Sequence, residues 1–352
     1  MKKHIKLLSS ISLFLAVSIP VFSSPAGGDE EVRKKRTINK TYSVTSEDKL
    51  EVENQFGNVI VTTWDKNEIA VDIEIGARAS SDRRCQDIMD ELEVKELRSG
   101  HIISFKTKVG DIHNGGENKR KGNDEDRSFY IDYIIHMPAG NRLQLENSFG
   151  KTTVPDLSGE VNLTSKFGSL NTGRLSNVDA IDVEFGRVNI AEISDGKVVF
   201  KFNKESNIGK VNGNVKITSE FSHNVQFSVG DNIKELSVFE SYSGVRVIVT
   251  KTLSAEFDVH TSFGKFLNDS EFRIREHRED EGDYGPHFDK DYSGKAGDGR
   301  AKIRIKSSFG NVRLSHSVRT ASVKDKKDKG DKEDKEDKDE DEDKDDDNKT
   351  TR

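Results

Sequence analysis

The string nearest to a ligand-binding motif in this chain is Asp289-Lys290-Asp291-Tyr292-Ser293-Gly294, which fits positions one, three, five and six of a calcium loop. Position twelve falls on Arg300, a cation where a bidentate carboxylate is required, so the segment reads as a polar stretch and not as a calcium site. The nine histidines include no His-Glu-x-x-His, and no Gly-x-Ser-x-Gly elbow or phosphate loop occurs. A single cysteine, Cys85, excludes a Cys-based zinc or iron–sulfur cluster. What remains is a set of outward positions, each just before a recurring aromatic: Gln55, Ser148, Lys166, Glu184, Lys201, Glu220, Ser262 and Ser308. Four of them, Lys166, Glu184, Lys201 and Glu220, form a stripe of alternating sign. Such a stripe serves either as a binding or acid/base face for a polysaccharide or as plain charge pairing on a solvated wall, worth a few tenths of a kcal/mol per pair. The second reading is preferred. No catalytic, cofactor-binding or metal-ligating residue is assigned.

The elements that carry these positions come from an internal repeat. A short string recurs as Asn54-Gln55-Phe56-Gly57, Asn147-Ser148-Phe149-Gly150, Ser165-Lys166-Phe167-Gly168, Val183-Glu184-Phe185-Gly186, Thr261-Ser262-Phe263-Gly264 and Ser307-Ser308-Phe309-Gly310. Degenerate copies centre on Phe202, Phe221 and Tyr242, the last followed by Gly244. From Phe149 to Phe263 the aromatics step by 18, 18, 17, 19, 21 and 21 residues. Apolar residues alternate before each aromatic, as in Val161, Leu163 and Phe167, and a second short strand follows each glycine. Each unit is therefore strand, glycine bend, strand, turn, with glycine expected to supply positive φ at the bend.

Two short strands cannot bury their own apolar face, whereas stacking successive units builds one continuous core. The expected fold is all-β: a single-stranded, β-helix-like β-solenoid of about 18–21-residue coils. An internal ladder of Phe56, Phe149, Phe167, Phe185, Phe202, Phe221, Tyr242, Phe263 and Phe309 is expected, with bend glycines Gly57, Gly150, Gly168, Gly186, Gly244, Gly264 and Gly310. The residue two before each aromatic, mostly Asn, Ser or Thr, shares the inner face and is placed to hydrogen-bond from coil to coil. An antiparallel sandwich of hairpins also gives regular strand spacing. Fixed aromatic positions and few Asn-Gly or Asp-Gly turns favour the solenoid.

The ends of the chain are distinct from this middle. Lys2, Lys3 and Lys6 precede an apolar run from Leu7 to Phe22, with small residues at Val21 and Ser23, which reads as a signal peptide over 1–24. A basic linker (25–36) leads to an N-terminal β segment (37–107), in which Cys85, Ile88, Met89 and Leu92 lie on one face of a short helix (81–92), capped by Ser80 or Ser81. Cys85 is then a small buried hydrophobe. A flexible loop (108–127) precedes the repeats (128–319), which carry a polar insertion (276–300). Residues 320–352 read as a disordered tail of Lys, Asp and Glu. From Lys324 to Arg352 ten Lys/Arg stand against fifteen Asp/Glu, a net −5 out of the chain's −7, so the body is near neutral and no bulk positive charge points to nucleic acid. The tail is expected to associate with divalent cations weakly at most, and no membrane span remains after signal removal. The N-terminal strand–helix segment is expected to cap one end of the stack, and the last coil with the tail to protect the other.

The strand-Phe-Gly-strand unit behind a signal peptide, with an early helix and a Gly/Asp-rich insertion before the final Ser-Phe-Gly coil, resembles the bacterial β-strand-repeat family of putative adhesins, a domain of unknown function. It is similar to the head GIN domain of putative autotransporter adhesins. The resemblance covers roughly residues 37–318 without the loops. It implies an exported, envelope-associated β-solenoid and brings no catalytic residue, since the family has no active-site motif to carry over. The expected function is a non-enzymatic binding or adhesion-type scaffold at the surface, in the periplasm or secreted, with an envelope protein or glycan as partner. Two alternatives stay open: a polysaccharide-active β-helix enzyme, and an envelope assembly or stress-response factor that binds protein partners.

Overall fold

A computed structural model of the chain describes residues 31–110, 128–277 and 288–317. The expected signal peptide, residues 111–127 of the expected loop, 278–287 of the expected insertion and the expected 320–352 tail lie outside the described residues. The N-terminal part contains β1 (Val32–Ser43), β2 (Lys49–Asn54), β3 (Val59–Thr63), β4 (Glu68–Ala79), α1 (Asp82–Asp90), β5 (Leu92–Ser99) and β6 (Ile102–Val109). Next come β7 (Ser128–Met137), β8 (Arg142–Ser148), β9 (Lys151–Val154), β10 (Leu157–Lys166) and four long strands, β11 (Ser169–Glu184), β12 (Arg187–Lys201), β13 (Glu205–Glu220) and β14 (Val225–Ser241). The C-terminal part holds β15 (Gly244–Ile248), β16 (Ala255–Ser262), β17 (Lys265–Asn268), β18 (Ile274–His277), β19 (Asp289–Ala296), β20 (Ala301–Ser308) and β21 (Asn311–Ser315). The described chain is almost entirely β, in one open sheet network with a single helix.

Two parallel ladders run through this network. The first pairs β6, β2, β8, β10, then the C-terminal halves of β11 to β14, then β20 and β16. The second pairs β7, β3, β9, then the N-terminal halves of β11 to β14, then β15, β21 and β17. A rung is one arm from each ladder joined by a bend that carries the aromatic. Among the described residues antiparallel strands occur only at the ends: β5 on β6, and β1 on β4 on β7 at one; β19 on β16 and β18 on β19 at the other.

Rung order differs from chain order at both ends. β2 and β3 sit between the β6/β7 rung and the β8/β9 rung, and β20 and β21 sit between the β14/β15 rung and the β16/β17 rung. The final Ser-Phe-Gly segment is thus clamped on both sides, correcting the expectation that it closes the stack. The Phe263 rung, β19 and β18 do that instead. Two boundaries also move. β1 begins at Val32, within the expected linker, because it pairs with β4 over twelve residues; and β18 and β19 occupy much of the expected polar insertion.

In-register stacking places like residues above like. One inner row of the first ladder runs Val52, Leu145, Leu163, Ile181, Val198, Ile217, Val238, Ile305 and Val259, all buried. α1 starts after Ser81, whose Oγ accepts from the Arg84 backbone N–H, and it buries Cys85, Ile88 and Met89. The Cys85 thiol donates to the Ala77 carbonyl at 3.3 Å.

The aromatic ladder is not internal. Eight of its rings, from Phe149 to Phe309, are 46–52% exposed, whereas Asn54, Asn147, Ser165, Ser219, Thr261 and Ser307, two residues before, are fully buried. Period-2 alternation would place both inside, but each of these eight aromatics adopts positive φ, between 50 and 60°. One left-handed residue turns the chain and swings the aromatic side chain to the outer corner.

The bend glycines therefore serve another purpose. Apart from Gly57 (φ 139°) they lie outside the positive-φ region; most of them allow backbones of adjacent rungs to touch. A Cβ on Gly150 would stand 1.7 Å from the Gly57 carbonyl oxygen, and one on Gly168 1.9 Å from that of Gly150. Gly244 does not belong to this set: it pairs with Asn311 and a Cβ there meets nothing within 4 Å. The bend position in its rung is Ser243. Ser243, Ser222 and Asn203 replace glycine in three adjacent rungs and point inward, where Gly186 N–H donates to Asn203 Oδ1 (2.8 Å), Asn203 N–H to Ser222 Oγ (3.1 Å) and Ser222 N–H to Ser243 Oγ (3.0 Å).

Candidate functional site

Three rows of side chains run along the stack beside the bends. The first is the aromatic strip, in the order Phe56, Phe149, Phe167, Phe185, Phe202, Phe221, Tyr242, Phe309, Phe263, Phe288. Successive centroids are 4.6–5.2 Å apart, and the rings from Phe56 to Phe263 are within 8° of parallel. At the spacing of neighbouring strands ten rings make a strip roughly 45 Å long. Phe288 was not expected in it, since it lies in the segment read as an insertion. Each inner ring has both faces covered by its neighbours, so only edges face solvent. Sugar-stacking on an open ring face is therefore not available along the strip, and its chemistry is that of an apolar ridge.

Beside it, on the first ladder, lie the expected outward residues. Lys201 Nζ pairs with Glu184 at 3.7 Å and Lys166 with Glu146 at 3.8 Å. Asp182 stands two residues before Glu184 on the same face of β11; its Oδ1 is buried without a partner. Burial, then the Glu184 charge, push its carboxyl above its ordinary value.

On the other side, the second ladder presents an amide row that sequence reasoning missed: Asn171, Asn189, Asn207 and Gln226, one per rung. Asn207 Nδ2 donates to Asn189 Oδ1 at 3.0 Å and Gln226 Nε2 to Asn207 Oδ1 at 3.3 Å. The signal was present, because each lies four residues beyond its bend aromatic in the first two copies and five beyond in the next two. Between this row and the bends lies a concavity of ≈ 450 Å³ lined also by Lys151, Ser169, Arg187 and Glu205.

Inside the stack, Glu240 takes the position that Asn, Ser or Thr holds in most rungs. It is buried; its Oε1 accepts from Ser243 N–H at 2.6 Å and its Oε2 from Ser307 Oγ. Burial pushes its carboxyl up, against the pull of those two bonds. Asp289 to Gly294, the calcium-like string, lies on β19 as an extended strand paired with β16. Among the described residues no three His, Cys, Asp or Glu are placed to hold a metal, and no helix is long and apolar enough to cross a membrane.

No family model and no curated protein matches this chain. Among solved structures it is similar to a putative adhesin from Bacteroides fragilis NCTC 9343 (10% identity, TM-score 0.34, covering 79% of this chain and 97% of that one). It is also similar to a putative cell adhesion protein from Clostridium sporogenes ATCC 15579 (11%, 0.22, 80% and 99%) and to a putative lipid binding protein from Parabacteroides distasonis ATCC 8503 (10%, 0.31, 80% and 96%).

Proposed function

We propose that this chain is an exported, non-enzymatic β-repeat protein of the bacterial envelope, whose two ladders wind as a β-solenoid and whose lateral surface binds another envelope component in the manner of an adhesion scaffold. The observation that carries the reading is the set of outward rows that continue from rung to rung. A continuous exposed aromatic strip with polar rows on both sides supports that reading, because extended exposed apolar patches are commonly interaction sites. The test is protease shaving and fractionation of cells carrying the full chain with a tag, with binding of the purified chain to intact cells and isolated envelopes. Surface exposure or an envelope-bound fraction supports the proposal. A cytoplasmic pool with no envelope binding overturns it.

A second reading, a polysaccharide-active enzyme, draws on Asp182 beside Glu184, two carboxyls on one face of β11 of which burial raises the first, since cleavage of a glycosidic bond uses a pair of carboxyl groups. Cleavage of any member of a glycan panel, lost on Glu184→Gln, would replace the first reading by this one.

A further inference from the structure

Resting on the binding-scaffold reading, we propose that the outer face of the second ladder, across the rungs of Phe149 to Tyr242, binds an extended acidic polysaccharide of the polyuronate type, with its axis along the stack. The amide row supplies the first argument. Asn171, Asn189, Asn207 and Gln226 are held one strand spacing apart, close to the advance of one pyranose in an extended chain. A primary amide has two N–H donors and two acceptor lone pairs, and the two bonds within the row use only part of this capacity. Asn171 spends none of its side-chain capacity among the described residues. The unspent groups recur at a fixed interval, as adjacent hydroxyls do along a glycan.

Charge supplies the second argument. Lys151 and Arg187 line the concavity two rungs apart, and Arg246 extends the amide row beyond Gln226. Among the described residues none of the three has an ion-pair partner, whereas on the first ladder Lys201 is paired with Glu184 and Lys106 with Glu53. Unpaired cations over an amide row match carboxylates carried on a hydroxylated chain. Glu205 is the one carboxylate of the lining. It repels such a ligand, so its removal has a predicted sign.

The strip contributes a wall rather than a stacking platform, because its ring faces are covered. The concavity is long and open, which suits a polymer threading past several rungs and not a small molecule enclosed on all sides.

Affinity electrophoresis of the full chain through gels containing polygalacturonate or neutral dextran tests this. Retardation is expected with polygalacturonate alone, weakening as salt is raised. Lys151→Ala with Arg187→Ala should weaken it about tenfold, and Glu205→Gln should strengthen it about twofold. Lys197→Ala with Lys216→Ala, on the first ladder, should leave it unchanged. These are exposed residues, and circular dichroism checks that each variant is folded. No retardation by polygalacturonate, equal retardation by dextran, or equal loss in the Lys197/Lys216 variant would overturn the proposal. Intact cells bound by a chain that ignores polygalacturonate would sink this site and leave the scaffold reading standing; binding to neither would sink both.

Discussion

Tyr242 stacks on Phe309 with centroids 4.7 Å apart and ring planes 1° from parallel, although the Phe263 rung lies between them in sequence. The contact exists because β20 and β21 insert between rungs that are consecutive in the chain. Ile305, buried in β20, consequently packs in register against Val238 on one side and Val259 on the other. Ile305→Ala is expected to cost about 2–4 kcal/mol, as a large-to-small change with neighbours that cannot close in from either side. Val259→Ala, removing less and lying one rung from the end, should cost clearly less. Denaturant unfolding of both variants measures this, and equal costs would mean that the inserted segment is not clamped.

Gly168, at a bend, and Gly244, one residue past one, differ in what lies above them. Gly168→Ala would put a methyl 1.9 Å from the Gly150 carbonyl oxygen, which also accepts the Ser169 N–H at 3.2 Å. The rungs must part to admit it, so a loss of more than about 3 kcal/mol is expected, at the severe end for point substitutions. Gly244→Ala meets nothing and requires no positive φ. It should be neutral or stabilising by up to about 1 kcal/mol through the unfolded chain. Paired melting curves of the two variants check the contrast, and similar losses would refute the close-approach argument.

The strip holds strain as well as contact. Phe185 has φ 54°, a conformation that costs an L residue roughly 1–2 kcal/mol, while its ring stacks on Phe167 at 4.9 Å and Phe202 at 4.8 Å. Each aromatic pair returns about 0.5–1.5 kcal/mol beyond burial. Phe185→Leu loses both stacks and keeps the strain. Phe185→Asn loses the same stacks but tolerates the left-handed backbone. The asparagine variant should therefore be the more stable of the two by about 1 kcal/mol, against the order of hydrophobicity. Chemical denaturation ranks them; leucine ranking above asparagine would show that ring burial outweighs the backbone term.

These bends also mark the limit of what the residues alone reveal. The alternation before each aromatic was legible, and with it the inner row of Asn, Ser and Thr, because a strand arm obeys period 2 from end to end. The aromatic itself breaks that period through a dihedral that phenylalanine does not favour, so residue type gave no warning. A clue lay one position on: Gly, Asn203, Ser222 or Ser243 always follows, and only a small side chain fits under the next backbone. Rung order was hidden for a different reason. Every arm offers the same pattern of apolar and polar residues, so the last one fits between any two others as well as at the end. The amide row on the second ladder is legible once the copies are aligned from their aromatics, four or five residues beyond each.

Glu240 gives the stack a pH dependence of fixed sign. No charged group acts on it; Ser307 and Ser243 hold its oxygens, and burial raises its carboxyl above the ordinary carboxylate value. The folded chain thus keeps this proton to a higher pH than the unfolded chain. Its contribution to stability is whole below the unfolded value and declines as pH rises through that value to the raised folded one. Glu240→Gln keeps an acceptor for Ser243 N–H, can donate to Ser307 Oγ, and does not ionise. Unfolding midpoints of the two proteins should coincide at low pH and separate as pH rises, with the glutamine variant the more stable at neutrality. A variant less stable at neutral pH would show that the bonds from Ser307 and Ser243 favour the carboxylate by more than its burial disfavours it, and the inserted rung would then be held by a charge rather than in spite of one.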